Sequence, residues 1–386
     1  KGPASLAYGS DAMAGVINML SAPTLPDGTV LGNVVSNYQS NNGLMGYSAD
    51  FSGNKKGLIW DARYSGKLAH AYENKYDGPV YNSGFRENAA SILLGMNSSW
   101  GFSHFKASLY DFKPGIVEGE RDELTGQFLR SDGEVATSSD FDDYQPQTPF
   151  QKIEHYKAVW NTRLFIGQGN LQTTFGFQLN HRKEFEDADA YGLYFLLNTL
   201  SYDVKYVFPE VNDWKFTIGG SGMCQQSKNK GSEFLVPAYE LFDSGIFGIA
   251  NKTVGKFDIS GGLRLDRRSE SSDALFLNDE EKVVSATASG ATERFAAFDR
   301  TFDGISGSLG TTYQISESIY TKLNVSRGFR APNIAELGSN GKHEGTLRYE
   351  IGNPDLKPET SLQLDWAVGL NTQHVSAELN LFDNRV

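Results

Sequence analysis

The stretch Ser326-Arg-Gly-Phe-Arg-Ala-Pro-Asn-Ile-Ala-Glu-Leu337, followed further on by Gly352-Asn-Pro-Asp-Leu-Lys-Pro-Glu359, separates two segments of alternating sequence. Apolar and polar residues alternate over 319–326 before it and over 362–370 after it. A period of two residues is that of a β-strand. The stretch is therefore a long loop between two strands, and its three prolines indicate an ordered one. Long loops in folded domains are usually functional.

The same alternation predicts fifteen strands, whose connections differ in length. The predicted strands are 30–39, 44–52, 57–69, 88–97, 102–112, 153–166, 170–181, 193–208, 214–225, 242–252, 256–266, 302–314, 318–327, 361–371 and 374–386. Short turns alternate with long connections, apart from a short first connection at 41–43. This pattern is typical of a transmembrane antiparallel β-barrel, which has short turns on its periplasmic side and long extracellular loops. A soluble solenoid or propeller would require a repeat of fixed period, which the sequence lacks.

Composition agrees with an all-β membrane protein and excludes several other classes. The 386 residues include 25 Phe, 18 Tyr and 41 Gly, and no run approaches the roughly 18 apolar residues of a membrane helix. A net charge of −12 disfavours nucleic acid as a partner, because phosphate binding needs clustered Lys and Arg. The single Cys224 excludes an intramolecular disulfide.

The chain divides into three segments. Residues 1–22 do not alternate, residues 23–29 form a linker rich in Pro and Gly, and residues 30–386 hold the predicted strands. Because the sequence starts without Met and ends within a predicted strand, we expect a piece of a longer protein. An open sheet edge in lipid is costly, so more strands are expected after Val386.

Two motifs resemble the TonB-dependent outer-membrane receptors. Gly2-Pro-Ala-Ser5 with Tyr8-Gly-Ser10 and Gly15-Val-Ile-Asn18 is similar to the end of the family's plug domain. Gly328-Phe-Arg-Ala-Pro332, with the later Gly352-to-Glu359 stretch, is similar to its barrel signature. Both occur in the expected order, and the resemblance covers the whole chain.

The resemblance implies a barrel of twenty-two strands in the outer membrane of a Gram-negative cell, with about fifteen strands present here. It makes 1–22 a remnant of the plug domain and 30–386 an incomplete barrel. It implies energy-coupled import of a scarce nutrient, namely a siderophore, haem or a metal ion such as zinc. The implied partners are the extracellular nutrient itself and a TonB-type energy-coupling complex in the inner membrane. The family's coupling box is absent from the sequence, and no covalent cofactor is expected.

Histidines are the candidate metal ligands, because neutral imidazole commonly binds zinc, copper or haem iron. If odd strands run outward, His70, His155 and His181 lie near the outer rim and His343 lies in the long loop. The simpler interpretation is that rim histidines are scattered polar residues. Around His343 the sequence resembles the zinc- and haem-uptake branch of the family, which extends the predicted ligand-binding set by three neighbouring residues: Glu344, Arg348 and Tyr349.

Charged loop residues permit two interpretations. Stretches 118–143 and 267–294 are acidic, so they would concentrate cations at the mouth, or they are simply solvated. Asp142, Asp143 and Glu154 are also candidates to bridge divalent cations to the phosphates of membrane lipid and lipopolysaccharide. In the signature loop, Arg327 and Arg330 are expected to pair with carboxylates such as Glu336 or Glu359 and to hold its shape.

Two other classes of function remain alternatives to a receptor. A passive porin or a surface adhesin would share the barrel, but an open pore needs no plug-like segment at 1–22. An enzyme has little support, because no nucleophile–base spacing stands out in the sequence.

Overall fold

The computed structural model describes residues 3–13, 16–17, 24–186, 190–343 and 348–386. In this part of the chain a single antiparallel sheet contains fifteen strands. They are β1 (Val30–Gln39), β2 (Leu44–Lys55), β3 (Leu58–Ala69), β4 (Phe85–Ser98), β5 (Gly101–Pro114), β6 (Phe150–Ile166), β7 (Gly169–Phe185), β8 (Tyr191–Val207), β9 (Trp214–Asn229), β10 (Tyr239–Val254), β11 (Phe257–Ser272), β12 (Phe298–Gln314), β13 (Ile319–Arg330), β14 (Glu359–Asn371) and β15 (Ser376–Arg385).

Each strand pairs with the next strand in the chain, from β1 through to β15. The prediction of an all-β chain with these fifteen strands is confirmed. Successive strands are joined at one end of the sheet by tight turns, such as the one at Lys56 and Gly57. Both of these residues have positive φ, 53° and 83°, as a hairpin turn that follows the right-handed strand twist requires. At the opposite end the strands are joined by longer connections, which include 70–84, 115–149, 230–238, 273–297 and 331–358.

The two faces of the sheet differ in character. The outer face presents large apolar side chains, and Ile246, Leu263 and Leu309 each expose 65% of their surface. On the inner face Phe247 is 5% exposed and Arg264 is 2% exposed. A face of exposed apolar residues opposite a polar interior is the arrangement of a membrane barrel wall. No helix in the described ranges has the length and apolar character needed to cross a membrane.

The N-terminal segment packs against the inner face. Two short 3-10 helices, Pro3–Tyr8 and Ser10–Met13, contact the strands from β9 to β13. Leu6 is 6% exposed and lies so close to Gly262 that a Cβ there would be 2.8 Å from its Cδ1. A side chain at position 262 would therefore collide with Leu6, so Gly262 lets the segment approach the wall.

The strands extend further toward the loop end than their alternation predicts. β11 continues to Ser272 where the pattern ends at 266, and β12 begins at Phe298 where the pattern begins at 302. The Arg-Arg-Ser-Glu-Ser-Ser sequence at 267–272 has no apolar face, because this part of the sheet rises beyond the apolar belt. Hydrogen-bonded pairing continues there without the alternation.

The loops contain secondary structure of their own. A small three-stranded sheet joins Leu275–Leu277, Val283–Val284 and Thr292–Phe295, and a hairpin joins Asn340–His343 to Arg348–Ile351. Two short helices are α1 (Ser138–Phe141) and α2 (Ile334–Gly338).

Candidate functional site at the loop end of the sheet

The signature segment begins where β13 ends and is shaped by a capped helix. Asn333 caps α2, and its side-chain oxygen accepts a hydrogen bond from the backbone N–H of Glu336 at 3.0 Å. The Glu336 carboxylate accepts in return from the Asn333 backbone N–H at 2.8 Å. This reciprocal capping box satisfies backbone donors that a helix start would otherwise leave unpaired.

Arg330 connects the helix to the start of β14. Its guanidinium lies 2.6 Å from Glu336 and 3.2 Å from Glu359. Burial of Glu336 opposes its ionisation, but the Asn333 N–H and the Arg330 guanidinium outweigh burial and lower the pKa of that carboxyl. The expectation that Arg330 pairs with these carboxylates agrees with the geometry. Arg327 instead donates to the carbonyl of Ile305, and it forms no ion pair with any described residue.

An apolar cluster supports the segment from below. Phe302, Phe329, Ala331 and Leu337 are each at most 5% exposed and pack together. At Gly352 the loop packs against α2. A Cβ on residue 352 would lie 2.6 Å from the backbone nitrogen of Gly338. The loop is therefore a packed unit and not a free extension.

Three of the long loops interlock, and we refer to 230–238, 273–297 and 331–358 together as the loop cluster. Asn340 joins all three, because its backbone N–H donates to Leu235 O at 3.0 Å and its side-chain amide donates to Arg294 O at 2.7 Å. Arg294 in turn donates to Phe234 O at 3.2 Å. Backbone acceptors paired in this way fix the loops relative to one another.

His343, Arg348 and Tyr349 of the predicted ligand residues lie on the hairpin of this loop cluster. His343 ends one strand opposite Arg348, which begins the other. Glu344 and the side chain of His343 lie outside the described residues. Tyr349 is 53% exposed, and its hydroxyl donates to Asn340 Oδ1 at 2.8 Å. The hairpin therefore keeps Arg348 and Tyr349 within the loop cluster.

A small cavity beside the hairpin is lined by Arg294, Glu233, Glu281, Lys342 and Tyr349, among others, and has a volume of about 180 Å³. Ligand pockets for drug-sized molecules measure about 300–1,000 Å³. This cavity is too small for a siderophore or haem.

His70, His155 and His181 do not form a common site in the part of the chain that the structure describes. His70 packs edge-on against Tyr144 with ring centroids 5.3 Å apart. The imidazole of His70 occupies space beside Gly43 that a side chain at position 43 would fill. In the pairing of β6 with β7, His155 lies opposite Asn180, and the preceding residue Glu154 lies opposite His181. Successive residues of a strand point to opposite faces, so His155 and His181 lie on opposite sides of the wall.

Each of these two histidines already has a neighbour. His155 Nδ1 lies 3.1 Å from Asn180 Nδ2, and His181 Nδ1 lies 2.7 Å from the Tyr194 hydroxyl. Within the described ranges, no group of three or more His, Cys, Asp or Glu side chains is arranged to hold a metal ion. The metal role of His70, His155, His181 and His343 stays a prediction.

The acidic loop uses several of its carboxylates to build its own structure. Asp122 accepts from the backbone N–H and the hydroxyl of Thr125, which lowers the pKa of Asp122. Asp140 accepts in the same way from Thr137 at the start of α1, and its pKa is lowered as well. These two carboxylates therefore help to build the structure of the loop, and both are ionised at neutral pH.

Two buried arginines of the wall contact the N-terminal segment, and alternation alone gave no sign of these contacts. Arg268 on β11 is 3% exposed and contacts Asp11 of the segment at 2.8 Å and Asp243 of β10 at 3.1 Å. Arg264 donates to the carbonyl of Leu6 at 3.2 Å. The sequence signal for these contacts is that residues 264 and 268 are four positions apart, so both side chains lie on the same face of β11. That face is the inner one, provided that β11 is extended to residue 272.

A second, larger cavity lies between the N-terminal segment and the strands β13 to β15. It has a volume of about 520 Å³, and its lining includes Asp11, Arg268, Arg330, Glu359 and Gln363. This size falls in the range of small-molecule sites. Acidic and basic side chains both line this cavity, which lies beside the start of the signature loop.

A family model described as TonB dependent receptor-like, beta-barrel matches residues 21–386. The chain belongs to this family of TonB-dependent receptor barrels. Family and fold together place it in the outer membrane.

Solved structures of receptors have the same fold. The ferric enterobactin receptor PfeA of Pseudomonas aeruginosa is 14% identical, with a TM-score of 0.70 over 100% of this chain and 57% of that one. The siderophore receptor PirA of Acinetobacter baumannii is 17% identical, with a TM-score of 0.70 over 100% of this chain and 56% of that one. The hemophore receptor HasR of Serratia marcescens, solved with hemophore and heme, is 13% identical, with a TM-score of 0.63 over 92% and 54%. The chain thus spans little more than half the length of these structures.

Proposed function

We propose that the chain is part of an outer-membrane receptor that imports an iron chelate or haem by TonB-coupled active transport, and that catalysis has no part in its function. The observation that carries this proposal is the N-terminal segment held inside the wall by Arg264 and Arg268. A passive porin has no use for a segment bound in its lumen. We accordingly propose that residues 1–22 are the end of a plug domain.

The proposed cargo class rests on the neighbours and on the larger cavity. The structural neighbours include receptors for ferric enterobactin and for a heme-carrying hemophore. Arg268 and Arg330 line the 520 Å³ cavity beside the carboxylates with which they pair, and guanidinium groups, each with five N–H donors, also suit the carboxylates and other oxyanions of a ligand. Ferric siderophores and haem both carry such groups, whereas a bare zinc ion would need a ligand cluster.

For first contact with the cargo we propose the hairpin that carries His343, Glu344, Arg348 and Tyr349. Its position at the outer surface of the loop cluster supports this role, since Tyr349 is half exposed. Imidazole and phenol groups are suitable iron ligands in haem proteins, and Arg348 would add attraction for an anionic cargo.

Uptake of radioactive iron by cells producing the intact receptor tests the proposal. Cells are supplied with ferric enterobactin, with haem or, in a separate arm, with radioactive zinc, in the presence and absence of the energy-coupling protein. We expect uptake of one iron compound that stops when the coupling protein or the proton-motive force is removed. Uptake that persists without either would favour the porin, and uptake of zinc alone would overturn the proposed cargo.

A pair of histidine variants then tests the hairpin. His343→Ala is expected to weaken cargo binding measured by calorimetry, whereas His374→Ala, in a turn at the opposite end of the sheet, is expected to leave it unchanged. Equal affinities for the two variants would remove His343 from the proposed site while leaving the transport function intact.

A further inference from the structure

Glu270 lies on the inner face of β11, where it is 1% exposed. Among the described residues, neither oxygen of its carboxylate has a hydrogen-bond partner. A buried carboxylate normally lies beside a cation or several donors, because an unpaired charge is strongly disfavoured away from water. Arg268 is two positions away on the same face, but it already contacts Asp11 and Asp243. Glu270 is therefore a position at which a second cation would be stabilised.

Arg300 is a cation within reach of Glu270. The two residues lie directly opposite each other in the pairing of β11 with β12. Side chains paired in this way point to the same face, with Cβ atoms about 4.5–5.5 Å apart. Arg300 instead extends toward the end of the signature loop, where Nη2 donates to Leu356 O at 3.5 Å and Nη1 lies 3.8 Å from Asp355. Arg300 thus contacts the loop and not its cross-strand neighbour.

The contacts that hold Arg300 on the loop are weak. A distance of 3.5 Å is long for a hydrogen bond, and the Asp355 side chain is 90% exposed, where ion pairs contribute little. The guanidinium carbon also lies 5.8 Å from the centre of the Phe302 ring, near the outer limit of a cation–π contact. Pairing with Glu270 would satisfy a buried carboxylate, but Arg300 would lose its contact with water, since its side chain is 34% exposed here. The gains and costs of the two pairings oppose each other, so both states are accessible.

We propose that Arg300 exchanges between two partners, the end of the signature loop at Leu356 and the Glu270 carboxylate, and that this exchange sets how firmly the loop is held against the wall. With Arg300 on Leu356 O, the loop is tied to β12. With Arg300 on Glu270, that tie is lost, and the loop end keeps only the packing of Leu356 against the apolar cluster around Leu337. Glu270 is thus a positioning residue that acts on the loop through Arg300. The exchange depends neither on the cargo nor on energy coupling, so it goes beyond the proposed function.

Amide hydrogen exchange at the end of the loop tests the proposal. The backbone N–H of Leu356 donates to Asn353 O at 3.3 Å, so its exchange reports whether this end of the loop is held in place. Exchange is measured by mass spectrometry on the intact receptor in detergent, in peptides that contain Leu356. The parent is compared with E270Q, with R300Q and with the double variant E270Q/R300Q.

A control variant accounts for the general effect of removing a buried charge. Asp266 is a second buried carboxylate on the inner face of β11, but it already has Arg264 as its partner at 2.6 Å. D266N is therefore the matched control for E270Q. Unchanged heat-modifiable migration in gels shows that the barrel of each variant has folded.

The four variants are expected to differ in a set order. E270Q keeps the shape of the side chain but removes its charge, so the competing charge-assisted hydrogen bond to Arg300 is lost and exchange should slow about tenfold. R300Q should speed exchange about threefold, since the contacts that it removes are weak. The double variant should exchange like R300Q, because Glu270 acts only through Arg300. D266N should exchange like the parent.

Four results would contradict the proposal. Equal exchange in E270Q and the parent would show that Glu270 does not compete for Arg300. Equal slowing by E270Q with and without Arg300 would show that Glu270 acts on the loop by another route. Slowing in D266N as well would show a general effect of buried charge. Faster proteolysis of the N-terminal segment in E270Q, with unchanged exchange at Leu356, would reassign Glu270 to a cation of the chain that precedes Lys1.

Discussion

Replacement of Arg268 by methionine removes the cation that joins the N-terminal segment to the wall. Arg268 is 3% exposed and contacts Asp11 and Asp243. Its loss leaves Asp243, which is 9% exposed, without its cation. Breaking a buried ion pair by removing one partner costs about 3–5 kcal/mol, because the remaining charge stays desolvated. We expect a loss of stability of that order.

The assay is urea unfolding of the intact receptor, followed by tryptophan fluorescence, with limited proteolysis of the N-terminal segment measured in parallel. Arg267→Met is the matched control, because Arg267 is the preceding residue on the same strand. It points outward and pairs with Asp303 on the surface, where both side chains are 61% exposed. Surface pairs of this kind contribute little to stability. The control is expected to unfold at the same urea concentration as the parent.

A third variant separates the segment from the wall. Asp11→Asn removes the charge pair between segment and wall but keeps Arg268 paired with Asp243. We expect faster cleavage of the N-terminal segment in this variant, with a smaller change in the unfolding midpoint than in Arg268→Met. Identical midpoints for Arg268→Met and Arg267→Met, together with unchanged cleavage, would refute the reasoning that Arg268 holds the segment against the wall.

Three smaller predictions concern the loops. Asn333→Ala removes the cap of α2 and should cost about 1 kcal/mol of local stability, seen as faster amide hydrogen exchange in that helix. Gly352→Ala should cost about 1–3 kcal/mol, because its Cβ would meet backbone atoms at 2.6–2.7 Å, whereas Gly248→Ala meets nothing within 4 Å and should be silent in thermal unfolding. The lowered pKa of Asp140 means that its bond to Thr137 stabilises α1 at neutral pH and is lost as the pH falls below about 4. Acid should therefore lower the protection factors of α1, which are corrected for the intrinsic exchange rate at each pH, but not those of the Asp140→Asn variant.

Alternation was enough to predict the membrane part of the fold, because lipid on one side and a polar interior on the other impose a period of two. The pattern identified each of the fifteen strands found in the described ranges. It failed where a strand leaves the membrane, as at residues 267–272 of β11, because water or polar contacts on both sides remove the contrast between the faces. Backbone pairing continues through residues 267–272, but the sequence of side chains there does not alternate and so does not predict a strand.

The candidate site was predicted less well, for reasons that differ between residues. Arg330 could be expected to pair with Glu336 and Glu359, because all three lie in one signature segment. The link through Asn340 to Leu235 and Arg294 joins loops that are distant in sequence. Such a contact depends on the packing of three separate loops, which one sequence does not reveal.

Residues Arg267 and Arg268 show why charge must be assigned to faces before it is interpreted. They are adjacent in sequence, yet one is an exposed surface cation and the other is buried against the N-terminal segment. The net charge of −12 predicts attraction of cations to the whole molecule. The sheet instead divides charge between acidic loops and an interior where carboxylates and guanidinium groups pair. Guanidinium groups therefore lie inside an acidic protein, where the net charge alone would not predict them. Because a one-residue shift in register would exchange these faces, the pairing of the strands determines which partner meets which charge.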